Sequence, residues 1–402
     1  MLKSHFRQNI DCMILPHLLA CAKLQQISRI SFAKRNSAFI YLSLSNFTKM
    51  KKIYVFISLL LVVMSSFGQK EYISIQDKID SLIKSKKIPG IIAATSQKNK
   101  RDFYTSGFAN KATEEVFKLE TQLEIGSITK TFTAYILTSI LNKKNIDVNT
   151  PIGAFLPDSV RINTTVSGIT FLQLMNHTSG LPRLPSNMDM GKNQMQPYIK
   201  YSLNNLYSYL TKAMPDTNKK VSYSNLGMGL AGVLAENISK NSYEQLLKKY
   251  ITEPFKMKST GLNSKENLPI AVGYFNSNAA EYWDMNALKA AGGVKSNTSD
   301  MLKYLELILT HQRNNILESV STVSATVNDR INVAKGWHIL KESGNADITW
   351  HNGGTYGFST FCAFNKTNGT AVFVAVNAFN MNAISDGLGI EIMKMMGLEK
   401  KH

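Results

Sequence analysis

Cysteine is nearly absent from this chain: its 402 residues hold three, Cys12, Cys21 and Cys362. No Cys/His cluster with zinc spacing occurs, so no metal site is read from it. Acidic side chains are in the minority, 28 against 46 Lys and Arg, which gives a formal net charge of +18. That balance suits an anionic polymer, but the lysines are scattered and no basic-aromatic repeat of the nucleic-acid-binding kind is found. Solubility is the simpler explanation, and no nucleic-acid partner is expected.

A long apolar run is also missing. The longest near the amino end, Ile53 to Val63, falls short of the ~20 residues of a membrane span. It follows Met50-Lys51-Lys52 and precedes Ser66-Phe67-Gly68-Gln69. A charged start, a short greasy core and a small-x-small site together read as a secretory signal over 50–68, cleaved after Gly68. Met50 is then the true start, and residues 1–49 are upstream sequence from a misplaced start codon. The rival reading keeps 1–49 as a genuine extension. Residues 1–68 hold nine of the basic and one of the acidic residues, so 37 and 27 remain and the net charge falls to +10. Only Cys362 is left, which permits no internal disulfide. It lies in the alternating run Phe361-Cys362-Ala363-Phe364 and reads as a small buried apolar residue.

The remaining chain is long enough for one large or two interleaved domains. Ile75, Ile79, Leu82 and Ile83 recur at helical spacing, and Pro89-Gly90 ends that helix. Residues 91–96 and 102–108 read as a hairpin. Helices dominate the middle: one from Ser127 to about Asn142, a short one before Asn176, a tyrosine-rich one from Tyr201 to Leu210, and Met228 to Ile238. Another lies within 242–262, and a last one, Met301 to Leu309, is capped by Ser299-Asp300. Residues 185–219 suit a variable wall over a cleft. Paired glycines at Gly292-Gly293 imply a close backbone approach. From 331 onward strands return, at Val333–Leu340, Asp347–Trp350, Phe358–Phe364 and Ala371–Val376, with a turn at Ser343-Gly344-Asn345, before a closing helix from Ala383 to Met396.

The chemistry centres on Ser127-Ile-Thr-Lys130. Three residues apart on a helix, a hydroxyl and an amine share one face. An amine beside a serine can activate it as a nucleophile, and a helix N-terminus favours developing negative charge. Burial of Lys130 would lower its pKa toward neutrality. The spacing alone is cheap, since Ser31/Lys34 and Ser81/Lys84 match it. Tyr223-Ser-Asn225 offers a phenol as proton carrier and an amide to fix a carbonyl, although Tyr274-Phe-Asn276 has the same form. His177 reads either as a base or, the commoner use, as a loop pin. His351-Asn-Gly353-Gly354 ends a strand with backbone N–H groups open to a ligand.

Taken in order, Ser127-Ile-Thr-Lys130, Tyr223-Ser-Asn225 and His351-Asn-Gly353 resemble the serine β-lactamase and penicillin-binding-protein superfamily, in its class C β-lactamase-like branch of β-lactamases, DD-peptidases and esterases. Asn176-His-Thr-Ser-Gly-Leu-Pro182 and Pro254-Phe-Lys-Met-Lys-Ser-Thr-Gly-Leu262 agree with it. The resemblance implies an α+β fold: an antiparallel sheet flanked by helices, built from both chain ends (69–115 and 325–402), with a mostly helical part (116–324) inserted between them. It implies that Ser127 is acylated, that Lys130 is its proton partner, and that Tyr223 assists as general base and later activates water. Asn225 holds the substrate amide, His351 stands where a lysine is common, and Gly353 and Gly354 border the substrate. The N–H groups of Ser127 and Gly354 form the oxyanion hole. No metal or cofactor enters. A periplasmic or secreted monomer acting on an ester, a D-amino-acid peptide or a β-lactam is expected, a cell-wall peptide included, with no membrane span after signal cleavage. The alternative is a non-catalytic penicillin-binding or peptidoglycan-sensing protein of the same fold. Two departures stand out. His351-Asn-Gly replaces the usual Lys-Thr-Gly of the lactamases, which implies inefficient β-lactam hydrolysis, and Pro215-Asp216 replaces Pro-Gly.

Overall fold

The computed structural model describes residues 74–98, 100–189, 195–310, 314–342 and 347–398. The signal expected at 50–68, the segment before it and the turn at Ser343-Gly344-Asn345 lie outside these residues. Among the described residues no helix is long and apolar enough to cross a membrane.

Helix α1, Ile75–Lys86, begins where Ser74 accepts the Asp77 N–H and Asp77 accepts the Ser74 N–H, a reciprocal cap that satisfies two otherwise orphan donors. The hairpin follows as β1, Gly90–Gln97, and β2, Lys100–Gly107. The sheet is completed from the far end of the chain by β3 Ala325–Asn328, β4 Ile331–Val333, β5 His338–Leu340, β6 Ile348–Gly354, β7 Ser359–Asn365 and β8 Thr370–Val376. The spatial order is β2-β1-β8-β7-β6-β5-β4-β3, and the pairings are antiparallel. Strands β7 and β8 are buried along their whole length, and their central runs, Phe361–Phe364 and Ala371–Val376, are apolar on both faces.

The two-residue period of a strand divides these side chains between two cores. Ile91, Ala93, Phe361, Ala363, Val372, Val374 and Val376 meet Ile79 of α1 and Leu388, Ile392 and Met393 of the closing helix, Asn382–Leu398. Their neighbours Ile92, Cys362, Phe364, Ala371, Phe373 and Ala375 join the larger core of the helical region. Cys362 is fully buried, and burial pushes its thiol up, as suits a small packing residue. Each Val, Leu, Ile, Phe or Met among them contributes about 1.5–3 kcal/mol on burial.

Two expectations change. The run Val333–Leu340 is two strands, because Gly336 adopts φ +75° in a turn between them. Its N–H donates to the Met175 carbonyl. The fold-back pairs Val333 with His338 and brings His338 opposite Trp350. The helix expected at Met301 starts at Thr298 instead. Asn297 Oδ1 accepts the Asp300 N–H there, while the Asp300 carboxylate turns away to the Ser259 N–H and Lys303.

Candidate active site

Ser127 sits in a single 3-10 turn, Gly126–Ile128, which leads into helix α2, Thr129–Lys143. The helix therefore begins two residues later than the sequence implies, but the three-residue spacing still faces Lys130 toward Ser127. The Thr129 hydroxyl locks the turn by donating to the Gly126 carbonyl at 2.7 Å and accepting the Val294 N–H at 3.2 Å. Lys130 is fully buried. Its Nζ lies 2.9 Å from Ser127 Oγ and donates to the Ala291 carbonyl at 2.6 Å. Burial first, and the Arg183 charge second, hold the amine well below its ordinary value. A neutral amine that spends one N–H on a carbonyl keeps a lone pair for the serine proton.

The Tyr223 ring centroid is 4.8 Å from Lys130 Nζ, and Ser127 is close enough to influence its phenol. Burial pushes the phenol up, opposed by the nearby Ser127 hydroxyl and the Arg183 charge. In the free protein the amine is therefore better poised to accept a proton than the phenol. Asn225 opens helix α3, Asn225–Ser239, with Ser224 as its N-cap. Its Oδ1 is buried without a partner. An acceptor left bare in this way is suited to a substrate N–H.

His351 lies on β6 and is 1% exposed. Its Nδ1 is 2.6 Å from the Asn352 carbonyl, which can only accept, so Nδ1 carries the proton and Nε2 presents a lone pair with no partner. His177 has φ +63°, and its Nδ1 accepts the Ser224 N–H while its carbonyl accepts the Ser222 N–H. It pins the loop that carries Tyr223, and its ring centroid stands 4.6 Å from the phenol ring. His338 completes the group, 5.2 Å from His351 and 6.3 Å from Tyr223 between ring centroids. All three imidazoles are lowered chiefly by burial: His177 and His351 well below the ordinary range, His338 to about 4.

Gly353 is buried against the Ile125 carbonyl, whereas Gly354 is exposed at the strand end. Gly353 thus serves close packing between β6 and the serine turn, and Gly354 is the one left facing solvent. Behind the turn, Glu124 accepts the Trp283 N–H at 2.6 Å and the Thr355 hydroxyl at 2.7 Å.

The structure gathers Ser127, Lys130, Tyr223 and His351 into one cluster, with Asn225 two residues beyond Tyr223 at the start of α3. Sequence reasoning missed four contributors: His338, hidden in what reads as one strand; Arg183, next after the Asn176–Pro182 stretch; Glu124; and the Ala291 carbonyl, which has no side-chain signature. The decoys resolve locally. Ser81 and Lys84 lie on α1, and the Tyr274 phenol accepts the Lys111 N–H. Among the described residues no group of three or more His, Cys, Asp or Glu is arranged to hold a metal.

A mixed α+β fold with a serine and a lysine at the head of a buried helix, closed by a sheet strand, defines a β-lactamase/transpeptidase-like protein. A family model described as Beta-lactamase matches residues 75–391, and the chain belongs to that family. It is 27% identical over 269 residues to a β-lactamase of Providencia stuartii, covering 66% of this chain and 67% of that protein. It is 24% identical over 326 residues to the D-alanyl-D-alanine-carboxypeptidase/endopeptidase AmpH of Escherichia coli (strain K12), covering 74% of this chain and 83% of that one. A class C β-lactamase structure from Rhodobacter sphaeroides superposes with a TM-score of 0.68 at 20% identity, over 79% of this chain and 98% of the other. A β-lactamase/D-alanine carboxypeptidase from Pseudomonas syringae gives 0.68 at 21% identity, over 80% and 97%.

Proposed function

We propose that this chain is an exported serine hydrolase that forms an acyl-enzyme at Ser127 and acts on an ester, a D-amino-acid peptide or a β-lactam amide. One observation carries the reading: a desolvated Lys130 amine 2.9 Å from the Ser127 hydroxyl. Lys130 takes the serine proton as Oγ adds to the substrate carbonyl carbon. The resulting oxyanion accepts hydrogen bonds from the Ser127 and Gly354 N–H groups, each such donor being worth ~3 kcal/mol in the transition state. Collapse expels the leaving group, which takes its proton back through Lys130 and Tyr223. Water then attacks the acyl carbonyl, its proton passing to the Tyr223 oxygen as the phenol hands its own to the Lys130 amine, and Ser127 Oγ leaves with a proton returned from Lys130. The buried, neutral His351 offers a substrate carboxylate no fixed charge, which favours esters and peptides over carboxylated β-lactams.

The test is covalent labelling of the protein from Gln69 onward by a fluorescent penicillin and by a fluorophosphonate. Ser127→Ala is expected to abolish both labels, and equal labelling of variant and parent would end the reading. Turnover of p-nitrophenyl esters, D-Ala-D-Ala peptides and nitrocefin then ranks the substrates. A stable acyl-enzyme without turnover would point to a sensor instead.

A further inference from the structure

The cluster's cations divide into two kinds. Lys130, His177, His338 and His351 are bases whose affinity for a proton is lowered chiefly by burial. Arg183 is different: it is exposed, and a guanidinium keeps its charge at any working pH. Its Cζ lies 5.0 Å from the Tyr223 ring centroid. Its field is felt at Lys130, His177, Tyr198 and Tyr223, so the head group faces the site. Among the described residues no carboxylate pairs with it.

Its backbone fixes which side of the site it serves. The Arg183 carbonyl accepts the N–H groups of Asn225 at 3.0 Å and Leu226 at 3.2 Å, which ties it to the first turn of α3. The backbone thus tethers Arg183 to Asn225, whose bare Oδ1 would, on the hydrolase reading, accept an amide N–H on the part of the substrate that remains on Ser127.

We propose that Arg183 is a specificity residue that binds an anionic group, a carboxylate or its equivalent, on the acyl side of the scissile bond. This rests on the hydrolase reading above and names the substrate class that site would prefer. The planar fork of a guanidinium matches a carboxylate bidentately, which a lysine cannot reproduce.

Two ester pairs test it. In one, p-nitrophenyl hydrogen glutarate is compared with its methyl ester, so the charge sits on the acyl part. In the other, 4-carboxyphenyl valerate is compared with phenyl valerate, so it sits on the leaving group. The parent is expected to show a KM at least about tenfold lower for the acyl-side carboxylate, the scale of one charge-assisted bidentate pair. Arg183→Gln should collapse that ratio to within about twofold and Arg183→Lys should leave an intermediate value, while the leaving-group ratio stays as in the parent. An acyl-side ratio that survives Arg183→Gln, a parent with no such ratio, or a collapse in the leaving-group pair instead would overturn the proposal. Fluorophosphonate labelling of Ser127, run in parallel, reports on the hydrolase reading alone. Should no ester be turned over, calorimetric titration of glutarate against monomethyl glutarate decides the matter without catalysis. Tighter binding of glutarate by the parent but not by Arg183→Gln supports it, and equal binding by both proteins refutes it.

Discussion

Gly353 and Ile125 stand so close that a Cβ built on Gly353 would lie 2.0 Å from the Ile125 carbonyl oxygen and 2.4 Å from Thr360 Oγ1. The end of β6 is thereby laid directly on the residues that precede Ser127. Gly353→Ala must part the two segments, at a cost of about 1–3 kcal/mol. It should also move Gly354 away from the serine turn and abolish acylation. Gly387→Ala is the control, since nothing lies within 4 Å of its Cβ position on the closing helix. That change should be neutral or stabilise by about 0.5–1 kcal/mol. Urea unfolding and penicillin labelling of both variants check the contrast, and equal behaviour would refute it.

Lys130 allows a test of pH dependence. Its folded value lies well below 10.5, so the amine is already neutral where an ordinary lysine would be charged. Acylation by p-nitrophenyl acetate should therefore reach its plateau well before pH 10. It should fall on the acid side as Lys130 gains its proton. Lys130→Arg places a group that cannot give up its charge at this position and should slow acylation ~10²–10⁴-fold at every pH. A parent rate that still climbs toward pH 10 would show that the amine is not the base.

His338 supplies a stability test with a definite sign. Its folded value is about 4, against ~6.5 for an unperturbed imidazole. Between these values the unfolded chain binds more protons than the folded one, so stability is fully present above about pH 6.5 and is lost as pH falls through about 4. His177 and His351 are lowered in the same direction and extend the loss to lower pH. His338→Gln should flatten the upper part of this dependence. Thermal unfolding from pH 7.5 to 3.5 measures it, and a variant with the parent's slope would show that His338 is not buried neutral.

Much of this fold is legible in local pattern. The alternation in Phe361-Cys362-Ala363-Phe364 places β7 between two cores, and the 3.6-residue period of Ile75, Ile79 and Ile83 marks α1. Ser127 and Lys130 can be found because both carry side-chain chemistry at a spacing the backbone enforces. What stays hidden depends on the tertiary path. The apolar run from Val333 to Leu340 reads as one strand because Gly336 gives no sign that it takes positive φ, and the fold-back there is what brings His338 to His351. The Ala291 carbonyl that holds Lys130 belongs to a residue type with no functional group. The sequence also cannot separate Gly353 from Gly354, because which of two adjacent glycines meets a neighbouring backbone is set by the strand's register.

Glu124 links three segments behind the serine turn. Its buried carboxyl accepts the Trp283 N–H and the Thr355 hydroxyl, while Lys295 donates to the Trp283 carbonyl at 2.9 Å. Burial raises the Glu124 pKa, and the two hydrogen bonds and the Lys295 charge oppose the rise. Thr355 Oγ1 already accepts N–H groups from Gly357 and Phe358, so its own proton needs Glu124 as acceptor. Glu124→Gln turns an amide donor toward either the Thr355 hydroxyl or the Trp283 N–H, and one hydrogen bond is lost whichever way it faces. The expected cost is about 1–3 kcal/mol, the penalty of a buried polar group left unpaired. Thr355→Val removes one of the two groups that compete for the single acceptor left by Glu124→Gln, so the double variant should lose less than the sum of the two single losses. Urea unfolding of the four proteins gives the coupling directly. A value of at least ~0.5 kcal/mol is expected for two side chains in contact, and strict additivity would mean that Glu124 and Thr355 do not act as a unit in holding Gly354 beside Ser127.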